Sequence, residues 1–301
     1  MQRGGASSSF ASSFIAPVFV LLWSTGYIGA KFGLPYAEPL TFLSIRFGLV
    51  VGLMLIWVLM TGAAWPSVQQ SRALFLVGAL LHGVYLGGVF TAIWLGLEAG
   101  LAALIVCMQP ILSAFLARWF LRERMTRFQW LGLFIGLAGA VLVVSRKLGG
   151  SVGDWGGLGL CVLALLAISV ATIYQKMHCA DAPMRSGAVV QYVGALAVVL
   201  PLAFLFETRE VEWSGEFIFS LSWLVIVLSL GAVGLLMSLI QRGEASKVAS
   251  LFFLVPPCTA LMAWAMFGEA LGWLAIIGVA LAAVGVAMVM RGGVRTGSTE
   301  S

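Results

Sequence analysis

Residues 98–144 and 244–290 of this chain are one stretch written twice, 146 positions apart and without a gap. Ten positions are identical in that register. They include a proline (Pro110 and Pro256), two glutamates (Glu98 with Glu244, Glu123 with Glu269) and two glycines (Gly132 with Gly278, Gly139 with Gly285). Apolar residues coincide readily between hydrophobic helices, but a proline, glutamates and glycines held in one gapless register do not. Most of the remaining pairs are apolar on both sides, so each copy must be surrounded by something other than water.

That surrounding is lipid. Hydrophobic residues make up 61% of the chain and charged residues 10%, with a mean hydropathy of +1.06, whereas a soluble domain carries about 25% charge. No polar stretch is long enough to be a soluble domain. The net charge of +5 comes without a basic patch interleaved with aromatics, so it fits cationic loops facing a cytoplasm and excludes a nucleic-acid partner. Cys107, Cys161, Cys179 and Cys258 have no metal-ligand spacing, and three lie in apolar runs as small packing residues. The N-terminal apolar run has no convincing A-x-A site behind it and reads as a retained first helix.

A hydrocarbon core about 30 Å thick needs roughly 20 apolar residues per helix. Cutting at polar and Gly/Pro punctuation predicts ten spans, near 14–33, 38–60, 73–97, 99–120, 127–145, 155–176, 186–206, 220–241, 246–267 and 271–290. With the N-terminus inside, twelve Lys and Arg fall on inner connections and four on outer ones, which predicts both termini (1–13 and 291–301) in the cytoplasm. The acidic 207–216 loop then faces out. Gly132, Gly136 and Gly139 on the fifth segment let helix backbones approach closely.

The repeat extends beyond the opening match: Ser24, Ile28 and Lys31 equal Ser169, Ile173 and Lys176 at a spacing of 145. The unit is therefore five helices, 14–145 and 155–290. Five is odd, so the second copy enters the membrane from the opposite side. The expected fold is all-α and integral to the membrane, two five-helix inverted-topology repeats, an arrangement suited to alternating access.

The ordered motifs resemble a known family. Trp23-Ser24 with Lys31 closing the first helix, Pro39 with Arg46, Gly96-Leu97-Glu98, Ala103 with Pro110, and Glu123 before a Gly-rich helix recur in part as Glu244-Ala245, Pro256 and Gly268-Glu269. Over nearly its whole length the chain is similar to EamA-type transporters of the drug/metabolite transporter superfamily, and within it to the YddG-type branch that exports aromatic and other neutral amino acids. The resemblance implies a bacterial plasma-membrane location, a small-molecule substrate, no cofactor, and two repeats around a central cavity lined mainly by segments one, three, four, six, eight and nine. Oligomeric state is left open, and a monomer is compatible with this architecture.

Polar groups at membrane depth are costly and mark candidate sites, with interhelical glue as the alternative reading. His82 and Tyr85, three apart, share one face of an α-helix, and Trp23 and Tyr27, four apart, share another. Gln109 precedes Pro110, and Pro256-Pro257 repeats the break in the second copy; matched breaks point to a binding region. Ser169, Thr172, Ser238 and Gln241 are further cavity candidates, although hydroxyls often bond to their own helix. Lys31, Glu123, Lys176 and Glu269 lie near predicted helix ends, where loop anchoring and local ion pairs are the expected roles. Arg46 is deeper and is expected to be paired, while its repeat mate is Gln191.

No mid-helix Asp or Glu is present to serve a cation-dedicated pump. An intramembrane enzyme would need paired Asp, Ser with His, or H-E-x-x-H at membrane depth, and the chain has only His82 and His178. The expected activity is export of small neutral, aromatic or hydrophobic amino acids by alternating access; another metabolite or drug class on the same fold is the alternative.

Overall fold

The computed structural model describes residues 5–97, 102, 105–123, 125–144, 155–242, 248, 250–267 and 272–291. The helices are α1 (Gly5–Gly33), α2 (Pro39–Thr61), α3 (Val68–Gly78), α4 (Tyr85–Trp94), α5 (Gln109–Phe120), α6 (Arg127–Val144), α7 (Trp155–His178) and α8 (Met184–Phe206). They continue with α9 (Gly215–Trp223), α10 (Val233–Arg242), α11 (Val255–Phe267) and α12 (Trp273–Arg291). A π-helical stretch, π1 (Ala79–Val84), joins α3 to α4, and another, π2 (Leu224–Ala232), joins α9 to α10. A 3₁₀ turn (Leu251–Leu254) leads into α11. Among the described residues the chain forms no strand beyond the isolated bridge Ala37–Val211.

Among the described residues, five helices are long and apolar enough to cross a membrane: Pro39–Thr61, Val68–Trp94, Trp155–His178, Met184–Phe206 and Gly215–Ile240. Ile15–Ala30, Arg127–Leu142 and Ile276–Arg291 are apolar but shorter. Many large apolar side chains stay exposed, among them Leu59, Met60, Trp119, Leu205 and Phe206, as expected of a surface solvated by lipid tails.

Helix starts differ from the predicted ones for an identifiable reason. The third and eighth segments, predicted from 73 and 220, begin at Val68 and Gly215. Ser67 accepts from the Gln70 N–H while Gln70 reaches back to the Ser67 N–H, a capping box, and Ser214 accepts from the Phe217 N–H. These caps satisfy orphan amides and let the helices start in polar sequence. α1 also begins early, at Gly5 rather than near 14, so part of the expected tail is helical.

The repeats make matching contacts. α1 packs on α9, π2 and α11 of the second repeat, while α7 packs on α3, π1, α4 and α5 of the first. Repeat mates also meet directly: α2 lies on α8, and α6 lies on α12. The α6–α12 seam is closed by glycines, since a Cβ on Gly139 would strike the backbone of Gly278 and Ala282, and one on Gly285 the backbone of Gly132 and Gly136. Outside the helices the halves are clasped by acids. Glu207 accepts from the N–H groups of Leu40 (2.7 Å) and Thr41 (2.6 Å), capping α2, while Glu38 accepts from Thr208 and Arg209.

Candidate functional site

Among the described residues, two polar regions of the helical body gather candidate side chains. The first forms where α1 meets the 3₁₀ turn before α11. Trp23 is buried and packs against Phe19 and Phe252, with ring centroids 5.3 and 5.4 Å away. The Cys107 sulfur lies 4.0 Å from the Phe252 carbonyl oxygen, which brings the segment just before α5 to the same place. There Gln109 is fully buried; its Nε2 donates to Ser113 Oγ at 3.3 Å, and its Oε1 has no hydrogen-bond partner.

Both helices around these residues leave α geometry just ahead of a proline. Cys107 and Met108 form a turn before Gln109-Pro110, and Leu251–Leu254 is 3₁₀ before Val255-Pro256-Pro257. Proline lacks the N–H that would bond the preceding turn, so the interruptions fall at the same register of the two repeats. Ser24 bridges the two helices: its hydroxyl bonds to the Val20 carbonyl (2.7 Å) and lies 3.4 Å from that of Val255.

The second region lies where α2 and α8 meet the two π stretches. Arg46 is 1% exposed; its Nε donates to Ser229 Oγ at 3.0 Å, and its guanidinium lies 5.6 Å from the Phe47 ring centroid. The hydroxyl of Tyr192 donates to the Ser229 carbonyl at 3.1 Å. His82 stacks on Tyr192, centroids 4.7 Å apart and planes 10° from parallel. Arg46 Nη1, His82 Nε2 and both polar atoms of the Gln191 amide are buried without a partner.

The candidates thus divide between these regions. Trp23 and Gln109 belong to the first, His82 and Arg46 to the second, and Tyr85 is buried on α4 just beyond π1. The expected shared face of His82 and Tyr85 rests on α periodicity, and π1 widens the turn to i→i+5 bonds between them. Ser169 and Thr172 donate to the Leu165 and Ile168 carbonyls, each at 2.8 Å on their own helix, which leaves their hydroxyls as acceptors for a ligand. Ser238 is half-buried. The side chains of Tyr27, Lys31 and Gln241, and residue Glu269, lie outside the described residues.

The charges have varied environments. Lys176 Nζ donates to the Ile240 carbonyl at 3.0 Å, near the end of α10, a position where a cation complements the helix dipole. Glu123 follows Arg122, whose φ of 55° ends α5, and its N–H returns to the Ala117 carbonyl at 3.2 Å. Arg46, expected to be paired, has a serine hydroxyl rather than a carboxylate; among the described residues no acid forms an ion pair with it. Tyr192 and Ser229 were not singled out from the sequence. A signal for their neighbourhood existed in Gln191, the uncharged repeat mate of the one deep arginine.

Comparison with known proteins places this architecture. The chain matches the EamA-like transporter family over residues 2–145 and 155–291. It is 29% identical to the "Uncharacterized transporter YvbV" of Bacillus subtilis, over 81% of this chain and 80% of that protein. It is 26% identical to a "Probable amino-acid metabolite efflux pump" of Salmonella typhimurium, over 91% of this chain and 92% of that protein. A solved crystal structure shares the fold with a TM-score of 0.77 at 19% identity, covering 93% of this chain and 96% of its own. Two family repeats, long apolar helices and an apolar outer surface make this a multi-pass membrane protein, and the chain belongs to the EamA-like transporter family.

Proposed function

We propose that this transporter exports small neutral amino acids, aromatic or hydrophobic, across a bacterial plasma membrane by alternating access. Ten spans form two inverted halves, with both termini cytoplasmic. The cargo sits where Trp23 and Phe252 supply an apolar aromatic wall and Gln109 a fixed polar group. The observation that carries this reading is the Gln109 carbonyl oxygen, fully buried and without a partner beside two matched helix interruptions. Small-molecule sites combine apolar walls with a few placed polar groups in this way, and an ammonium N–H is a natural donor to that oxygen. The name of the Salmonella relative points to the same cargo class.

The test is efflux from proteoliposomes loaded with a labelled panel of amino acids, with and without a proton gradient. Movement of leucine or phenylalanine is expected, and the absence of movement for every neutral amino acid would sink the cargo assignment. Gln109→Ala should cut transport at least tenfold, about 1.4 kcal/mol, by removing one hydrogen bond to a charged group. Trp23→Ala should weaken aromatic cargo more than alanine.

A further inference from the structure

The Arg46 region does not belong to the cargo contact proposed above, and its chemistry is incomplete by itself. Arg46 on α2 is a guanidinium at membrane depth, 1% exposed, answered by one serine hydroxyl and an aromatic face. Around it stand His82 from π1, stacked on Tyr192, and Gln191 from α8, whose amide lies beside the imidazole. Four polar atoms on these three side chains are buried and unpartnered: Arg46 Nη1, His82 Nε2, Gln191 Nε2 and Gln191 Oε1.

Buried polar groups are normally satisfied, and a buried charge without a counter-charge is more costly still. Charged residues within membranes pair with one another or mark ion pathways. Here the repeat itself withholds the counter-charge, because the mate of Arg46 is a neutral amide. Both flanking stretches are π-helical, a geometry that is rare and concentrates at functional sites. The two begin 145 positions apart, at Ala79 and Leu224, the spacing that relates Arg46 to Gln191.

The geometry points to a closed binding site for one monovalent anion, a halide or a carboxylate, held by Arg46 with the Gln191 amide and the His82 ring. One negative charge neutralises the guanidinium and accepts from Nη1 and the amide N–H. The chemistry admits two sources, an inorganic anion such as chloride or the carboxylate of the cargo, and the experiment separates them.

Thermal unfolding of the full-length protein in detergent is followed at constant ionic strength, with sodium chloride or sodium formate replacing sodium gluconate, whose anion is too bulky for a closed cluster. A saturable rise in midpoint is expected, roughly 5–10 °C at a hundredfold excess over Kd. Arg46→Gln should abolish it. If that variant does not fold, Gln191→Leu, which removes a neutral ligand, should raise the half-saturating chloride concentration, and crystals grown in bromide should show its anomalous signal beside Arg46. Leucine in gluconate tests the second source: a stabilisation that chloride competes away assigns the site to the cargo carboxylate, and its absence assigns it to the inorganic anion. Midpoints in chloride, formate and leucine no higher than in gluconate, or a chloride response retained in Arg46→Gln, would overturn the site. Neither result depends on transport, so this failure is distinct from failure of the amino-acid assignment.

Discussion

The two places where repeat mates meet are opposites. At the α6–α12 seam the mated residues are glycines, Gly132 with Gly278 and Gly139 with Gly285, and both copies keep the same small residue so that backbones touch. At the α2–α8 seam the mated residues are Arg46 and Gln191, large, polar and unlike, and buried polar atoms are left without partners. One seam preserves the symmetry and is packed shut. The other breaks it and retains an unanswered charge. The difference teaches that duplication supplies the frame through its conserved small residues, while chemical individuality accumulates where the copies have diverged.

The largest expected effect comes from disturbing the glycine seam. Gly285→Leu meets backbone atoms of Gly132 and Gly136, which cannot rotate away, so a loss above about 3 kcal/mol is expected. The yield and unfolding midpoint of monodisperse protein in detergent check this; a near-normal midpoint would mean that the seam is not tightly closed. Next comes restoring charge symmetry at the other seam. Gln191→Arg places a second guanidinium beside the first and should lower stability by about 3 kcal/mol. A wild-type midpoint would show that the region already holds compensating negative charge.

Arg46→Met probes the same seam in the opposite sense. Replacing a buried charge by an apolar residue of similar volume is commonly neutral or stabilising by about 1–4 kcal/mol. A raised midpoint with lost function would show Arg46 retained for what it does rather than for holding the fold; a midpoint lowered by several degrees would place it among the structural supports.

The smallest effect lies at the aqueous clasp. The Thr208 hydroxyl, then the N–H groups of Arg209 and Thr208, hold the Glu38 carboxyl below its ordinary value of 4.5. A carboxylate depressed on folding stabilises fully above its ordinary pKa and loses that contribution as pH falls through the depressed one. The clasp should therefore be indifferent to pH near neutrality and weaken only below about 4.5. Glu38→Gln should remove this part of the acid sensitivity, measured as unfolding midpoint against pH; an unchanged acid limb would exclude Glu38 as its source.

Much of this contrast is written in the sequence. Charge-poor apolar segments leave helices as the stable form, because in lipid each backbone amide must bond within its own segment. The prolines at 110 and 256 announce matched interruptions, since a missing N–H breaks the helical ladder wherever it falls. The Arg46–Gln191 mismatch is visible by aligning the repeats. Capping at Ser67 was also legible, through its S-x-x-Q pattern, but hydropathy alone places the helix starts at Val68 and Gly215 too late.

What the sequence could not convey depended on contacts distant along the chain. The α3 backbone approaches α8 so closely that a Cβ on Gly78 would meet the Gln191 carbonyl, and one on Gly194 the Phe75 carbonyl. The π stretch begins one residue beyond Gly78, so the 3.6-residue period does not carry through His82, and His82 stacks on Tyr192 of α8. Ser169 and Thr172 are as polar in sequence as Ser229, but they turn back on their own helix while Ser229 receives Arg46 from another. Local composition determined that these residues are buried in helices. Only the packing of one repeat against the other decided which polar atoms find partners, because a hydrogen bond depends on two positions and the sequence specifies them one at a time.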